Sequence, residues 1–301
     1  MEIIVGVSPE DSGDDAVALG AVLSRLLRCS LTLAHIQPPT MEYPSMGNVD
    51  AEWTAFLAER AEAAIHRART LLEREWSISG VTAIVHASAS VGHGLRDVAL
   101  QRGADIIAIG PGTNSTEGRL GLGTIAHSLL HGGPAAVAMA PEGYRETAPD
   151  DIERIVVGFQ DTPETAVAVN VAVDAASVSN IPVHLLTVVL RATRISGARI
   201  GRDPERQVME TLIASEKVAQ ARFIETSAVP VSGSVVSGDT ADRAMARFDW
   251  QDSDLFIVAS SRYGAIRRVF LGDLTHKLLR ACVVPAIVLP RHTGPDLLAD
   301  A

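Results

Sequence analysis

The chain writes one pattern twice. IIAIGPGTNSTEGRLGLGTIAHSLLHGGPAAVAMAP, from Ile106 to Pro141, aligns without a gap with LFIVASSRYGAIRRVFLGDLTHKLLRACVVPAIVLP, from Leu255 to Pro290. Earlier segments recur in the same order: IIVGV (Ile3 to Val7) with IVVGF (Ile155 to Phe159), and LTLAHI (Leu31 to Ile36) with VHLLTV (Val183 to Val188). A repeat this long is a whole domain rather than one turn of a solenoid, and 301 residues suit two such units.

Inside each copy, short β-rich apolar runs are separated by helical patterns, which is the signature of βαβ units and a mostly parallel sheet. DDAVALGAVLSRLL places Val17, Leu19, Val22, Leu23 and Leu26 at near-helical spacing, and AEWTAFLAERAEAAIHRARTLLEREW is a long alanine-rich amphipathic helix. ERQVMETLIASEKVAQARFIETS has the same character in the second half. Each half reads β-α-β-α-β-α-β-α-β. The expected fold is therefore α/β, two tandem doubly wound parallel five-stranded sheets of Rossmann-like type. Expected boundaries are 1–141 and 152–290, with 142–151 a polar linker and 291–301 a loose tail.

Composition narrows the partners. A net charge of −10 argues against a general affinity for nucleic acid or an anionic membrane surface, both of which need a basic footprint. No apolar run approaches the roughly 20 residues of a membrane span. MEIIVGV reads as a strand rather than a secretory leader, and Cys29 and Cys282 form no C-x-x-C pair. A cytoplasmic location is expected.

In an open parallel sheet, ligands bind beyond the carboxyl ends of the strands, where the strand order reverses. The candidate loops follow the first strand, at Ser8 or Gln160, and the fourth, at Gly110 or Ala259. In GPGTNSTEGRLGLGT, Gly110 and Gly112 can take backbone angles closed to other residues and so let a ligand come close. Gly123 and Thr124 stand at a helix start, whose unpaired N–H groups and dipole favour an anion. Pro111 removes one donor.

Gly110, Thr113 and the pair Gly123-Thr124 stand in a spacing that resembles the G-x2-G-x9-G-[S/T] signature of the universal stress protein family. The resemblance runs over almost the whole chain as two tandem copies, and includes the VGV start, the AHI strand end, ADIIAIG and GTIAHSLL. It implies an adenine nucleotide alpha hydrolase-like fold, a role in stress response and a bound adenine nucleotide, ATP being favoured, with Mg²⁺ an optional companion. In that branch of the family the signature wraps phosphates and ribose, while the first-strand loop and the end of the second strand hold adenine. The implied contacts are Ser8, Ile36, Gly110, Gly112, Thr113, Gly123 and Thr124. Two departures stand out. Thr113 replaces the second glycine, with Gly112 one place early, and Ser8 replaces the usual aspartate. Family members commonly dimerise through the last strand of each domain, so PAAVAMAP and VPAIVLP are expected to pair the two halves, and a homodimer is a further expectation.

The second loop has diverged. Ala259 and Arg262 replace the two glycines, Gly272 is kept, and Asp273 would set a carboxylate beside a phosphate. Asp273 is equally a helix N-cap, so nucleotide binding is expected in the first half only. Arg262, Arg267 and Arg268 read as solvated surface.

Other groups admit two readings. His127 and His131 could face one metal, but His131 also suits a helix C-terminus, and the recurrence of His127 as His276 points to packing or an interface. The acidic run EDSGDD, Glu10 to Asp15, suits capping of a helix start, or Mg²⁺ beside a triphosphate. No P-loop, H-E-x-x-H or G-x-S-x-G motif occurs, and no reaction is assigned. A nucleotide-independent interaction scaffold remains the alternative; slow ATP hydrolysis is a third possibility from the resemblance.

Overall fold

The computed structural model describes residues 1–9, 12–39, 49–112, 115–131, 133, 135–190, 202–259 and 273–290. In the first half, β1 (Glu2–Gly6), α1 (Ser12–Leu27), β2 (Ser30–Gln37), α2 (Val49–Trp76), β3 (Thr82–Ala87), α3 (Val91–Arg102), β4 (Ile106–Ile109), α4 (Thr124–Leu130) and β5 (Ala136–Met139) follow in turn. The second half repeats the plan. It runs β6 (Arg154–Gly158), α6 (Pro163–Ser179), β7 (Val183–Leu190), α7 (Arg202–Thr226), β8 (Val231–Gly238), α8 (Ala241–Met245), β9 (Asp254–Ala259), α9 (Asp273–Ala281) and β10 (Ala286–Leu289). None of the described helices is long and apolar enough to cross a membrane.

Strands β1, β4, β5, β9 and β10 are apolar on both faces because helices cover both. Alternate residues of β1 point opposite ways: Ile3 and Val5 join the core under α1 and α2, while Ile4 joins the core under α3 and α4. Within each half every pairing between the strands named above is parallel. The two five-stranded units then meet along their last strands. β5 and β10 run antiparallel, with Val137 opposite Val288, Ala138 opposite Ile287 and Met139 opposite Ala286.

One ten-stranded sheet results, in the order β3-β2-β1-β4-β5-β10-β9-β6-β7-β8. Pairing β5 with β10 removes what would be two exposed apolar edges. It also merges the cores, so that Ile106 and Ala136 lie in one cluster with Leu255 and Ile287.

Repeated residues gather at this seam. The rings of His127 and His276 stack with centroids 5.7 Å apart, and Arg119 donates from Nη1 to the carbonyl of Ala281 at 2.6 Å. His131 bonds through Nδ1 to the His127 carbonyl, closing the end of α4. These contacts account for the histidines as packing and capping groups. No group of three or more metal-ligating side chains is found among the described residues.

The polar connection between the halves is not a slack tether. Tyr144–Thr147 forms the short helix α5, and Tyr144 is only 3% exposed. Buried Asp15 accepts from the backbone N–H of Gly143 at 3.0 Å and of Arg145 at 2.8 Å, fixing the segment onto α1. The sequence marks this stretch only as a polar linker; a buried carboxylate in need of donors orders it. Both cysteines are free, and burial pushes the Cys29 thiol up to about 11 and that of Cys282 to about 12.

Candidate functional site

β1 lies between β2 and β4, so the chain leaves it in opposite directions and a crevice opens beyond its end. There the structure has a cleft of about 480 Å³. Ser8, Ile36, Gly110, Gly112, Gly123 and Thr124 all line it. Thr113 lies outside the described residues.

The glycines act differently from the expectation. Positive φ angles among the described glycines belong to Gly80, Gly103, Gly118 and Gly143, not to Gly110 or Gly112. What Gly112 needs is space. A Cβ there would stand 2.9 Å from Gly123 Cα and 3.0 Å from its nitrogen, and a Cβ on Gly123 would stand 3.1 Å from Gly112 Cα. Two backbone stretches touch, and any side chain at Gly112 would separate them. The loop is closed further by Gly112 N–H donating to Gly121 O at 3.2 Å and by Ser115, whose N–H and hydroxyl both donate to Gly112 O.

Helix α4 starts after Gly123, whose backbone is extended and offers no side-chain cap. Its first bond is His127 N–H to Gly123 O. The N–H groups of Thr124, Ile125 and Ala126 precede that bond and have no acceptor among the described residues. Gly123 N–H is already used, donating to Gly121 O at 2.9 Å. Thus the helix start supplies three open donors, and the loop glycines supply fewer than their number suggests.

Three lining residues were not evident from the sequence. Gln37 follows Ile36 at the end of β2, and its Oε1 is buried without a hydrogen-bond partner. Arg60 reaches the cleft from α2, one turn after Leu57. His35 bonds through Nδ1 to the carbonyl of Val7 at 3.2 Å. Position at a strand end could have flagged Gln37. Nothing in the helical pattern marks which exposed arginine of α2 faces the loops.

Burial lowers the pKa of His35 below its ordinary 6.5, and the charge of Arg60 adds to the effect. Burial likewise lowers His184, followed by the charge of Arg154. Since the unfolded chain takes up these protons first, stability present above about pH 6.5 is lost as pH falls below that value. Thermal melts between pH 7.5 and pH 5, chosen to span the ordinary histidine range of about 6.5, should show a falling midpoint. A His35→Gln/His184→Gln protein should show a flatter profile; equal slopes for both proteins would refute the assignment.

Asp14 and Asp15 stand in the first turn of α1, as expected of acidic residues at a helix start, and both also make tertiary contacts. Asp14 accepts from Arg67 Nε at 2.9 Å and Nη2 at 2.8 Å, and from Arg145 Nη1 at 3.2 Å. Asp15 holds the connecting segment as described. Both carboxylates are buried and committed to tertiary contacts. Glu10 and Asp11 lie outside the described residues, as do Arg262, Arg267, Arg268 and Gly272; of Asp273 only the backbone, at the start of α9, is described.

Comparison with known proteins agrees with this architecture. The model of the universal stress protein family matches residues 1–141 and again 151–290. A universal stress protein of Mycobacterium bovis is 30% identical over 294 residues, covering 96% of this chain and all of that protein. One of Mycobacterium tuberculosis has the same identity and coverage. The crystal structure of a universal stress protein from Archaeoglobus fulgidus superimposes with a TM-score of 0.65 at 14% identity, over 96% of this chain and 98% of that one, and so shares the fold. Two matches in tandem, along a chain whose halves repeat one topology, lead to one conclusion: the protein belongs to the universal stress protein family and carries its domain twice.

Proposed function

We propose that this protein is a stress-response regulator that binds an adenine nucleotide, ATP in preference, in the cleft of its first half and not in its second. It would work as two domains, residues 1–141 and 152–290, joined by 142–151. The carrying observation is the cleft of about 480 Å³ at the strand-order reversal, with an unpartnered acceptor on Gln37 to one side and open N–H groups of α4 on another. A volume of that order suits a nucleoside with phosphates.

Adenine carries an exocyclic amine, the donor that Gln37 Oε1 lacks, and the apolar side chains of Ile36, Leu57 and Leu95 offer faces for the ring. Leaving a buried acceptor unpaired costs about 1–3 kcal/mol, so a donor-bearing base is favoured over one without it. Phosphate oxygens suit the N–H groups of Thr124, Ile125 and Ala126. A Mg²⁺ ion accompanying ATP would take its ligands from phosphate and water, because Asp14 and Asp15 are engaged elsewhere. Divergence at Ala259 and Asp273 supports restricting the site to the first half.

The alternative is a scaffold that works without nucleotide. It is favoured by Gly112 and Gly123, whose N–H groups both donate to Gly121 O and are lost to any ligand. Isothermal titration of the full chain decides between them. One ATP per chain should bind, and ITP, which presents a carbonyl in place of the amine, should bind roughly tenfold more weakly. Absence of heat with ATP, for protein stripped of copurified nucleotide, would leave the scaffold reading standing.

A further inference from the structure

We propose that Arg60 makes the first-half cleft selective for adenine nucleotides carrying a second anionic group on the ribose, besides the phosphate at the 5′ position. This rests on the nucleotide reading above. Arg60 projects from α2 into the cleft wall, on the same side as Leu57 and the end of β2. Its guanidinium lies 5.7 Å from the ring centroid of Phe56. Among the described residues it has no carboxylate partner.

Its neighbours differ. Arg67 is held by Asp14, Arg69 donates to the Val81 carbonyl, and Arg145 is held by Asp14 and Glu75. The cation that faces the cleft has no carboxylate at hand among the described residues. A ligand that fills the cleft removes water from this guanidinium, and a desolvated charge is costly unless an opposite charge replaces the water. An anionic oxygen on the ligand would do so through charge-assisted hydrogen bonds, for which the planar fork of arginine is suited.

The first-strand loop supports the same conclusion. Ser8 lines the cleft where a carboxylate would repel a phosphate. In dinucleotide sites an acidic residue hydrogen-bonds the ribose hydroxyl, whereas a nearby arginine accommodates a ribose phosphate. This cleft has serine in the loop and arginine in the wall. The charge of Arg60 is felt inside the site, since it helps to keep His35 neutral. Dimensions are compatible too: β2 and β4 flank β1, so the strand ends beneath the cleft span two strand spacings, about 10 Å. One nucleoside with phosphates on two sides bridges such a gap.

The test is isothermal titration of the full chain, freed of copurified nucleotide, with AMP, ATP, adenosine 2′,5′-bisphosphate and adenosine 3′,5′-bisphosphate at physiological salt. At least one bisphosphate should bind about tenfold tighter than AMP, and in Arg60→Gln that ratio should fall to within about twofold of unity. Arg60→Lys should retain part of the preference, as a point charge without the fork. Bisphosphates binding no better than AMP, or a preference that survives Arg60→Gln, would overturn the proposal while leaving the nucleotide reading intact. Silence from all four ligands would overturn both. Because the comparison of ligands is made first on the unaltered protein, the result does not depend on how the variants fold.

Discussion

Asp254→Ala should lower the unfolding free energy by about 3 kcal/mol, one of the largest losses available to a single side chain in this protein. Asp254 opens β9 beside β6 and is fully buried. Its carboxylate takes two bonds from Arg154, Nε to Oδ1 at 2.7 Å and Nη2 to Oδ2 at 2.7 Å, and a third from the N–H of Gln251 at 2.9 Å. Arg154 also lies over the Phe248 ring, 5.2 Å from its centroid, and its pKa is raised chiefly by the bond to Asp254. Removing the carboxylate strands a guanidinium whose side chain is only 26% exposed, and orphans a backbone donor. Partial access to water keeps the loss near the lower end of the range for broken buried pairs, about 3–5 kcal/mol.

Urea unfolding of Asp254→Ala, Arg154→Met and the double variant measures the coupling directly. The double variant should be more stable than Asp254→Ala alone, because no buried charge is then left unpaired. A loss below about 1 kcal/mol for Asp254→Ala would show that the pair contributes no more than an exposed one.

Gly112→Ala should reduce nucleotide affinity by at least about tenfold and stability by roughly 1–2 kcal/mol, the cost of forcing a methyl group into a closed contact. The added Cβ would meet backbone atoms, Gly123 Cα and N and Gly121 O at 3.3 Å, not the far end of a flexible side chain. Relief requires the loop after β4 to move away from Gly123, the residue that caps α4, which displaces the very N–H groups assigned to phosphate. Gly118→Ala is the control: it sits in the same loop with φ 68, has open space around it and does not line the cleft. It should cost stability through its left-handed backbone, with little effect on binding. Calorimetry and thermal melts of the two variants would separate the effects; equal losses of affinity would place the role of Gly112 in general loop order rather than in the contact with Gly123.

Much of this architecture was legible before any coordinates. Strands such as Ile106–Ile109 and helices such as Ser12–Leu27 announce themselves by local apolar pattern, and the repeat revealed that two like units follow one another. Strand-end positions in a doubly wound sheet pointed to loops that lie together, and Ser8, Ile36, Gly110, Gly112, Gly123 and Thr124 all line one cleft. What the sequence left unread belongs to residues whose partners lie far along the chain. Asp14 and Asp15 do stand in the first turn of α1, as the acidic run suggested, but their bonds to Arg67, Arg145 and Gly143 leave no trace in neighbouring residues. Gly112 looks like a residue with special backbone angles, yet its constraint is the backbone of Gly123 pressed against it.

By itself, then, the sequence determined the class of fold, its duplication and the end of the sheet at which the cleft lies, because periodicity and turn residues act over a few positions and leave a local trace. Only the tertiary structure decided which amides stay open, that Gln37 and Arg60 enter the cleft, and the antiparallel register in which the expected pairing of the last strands, β5 with β10, is made. Those outcomes depend on the direction and packing of elements distant in the chain. Free energy of that kind resides in contacts that no short window of residues contains.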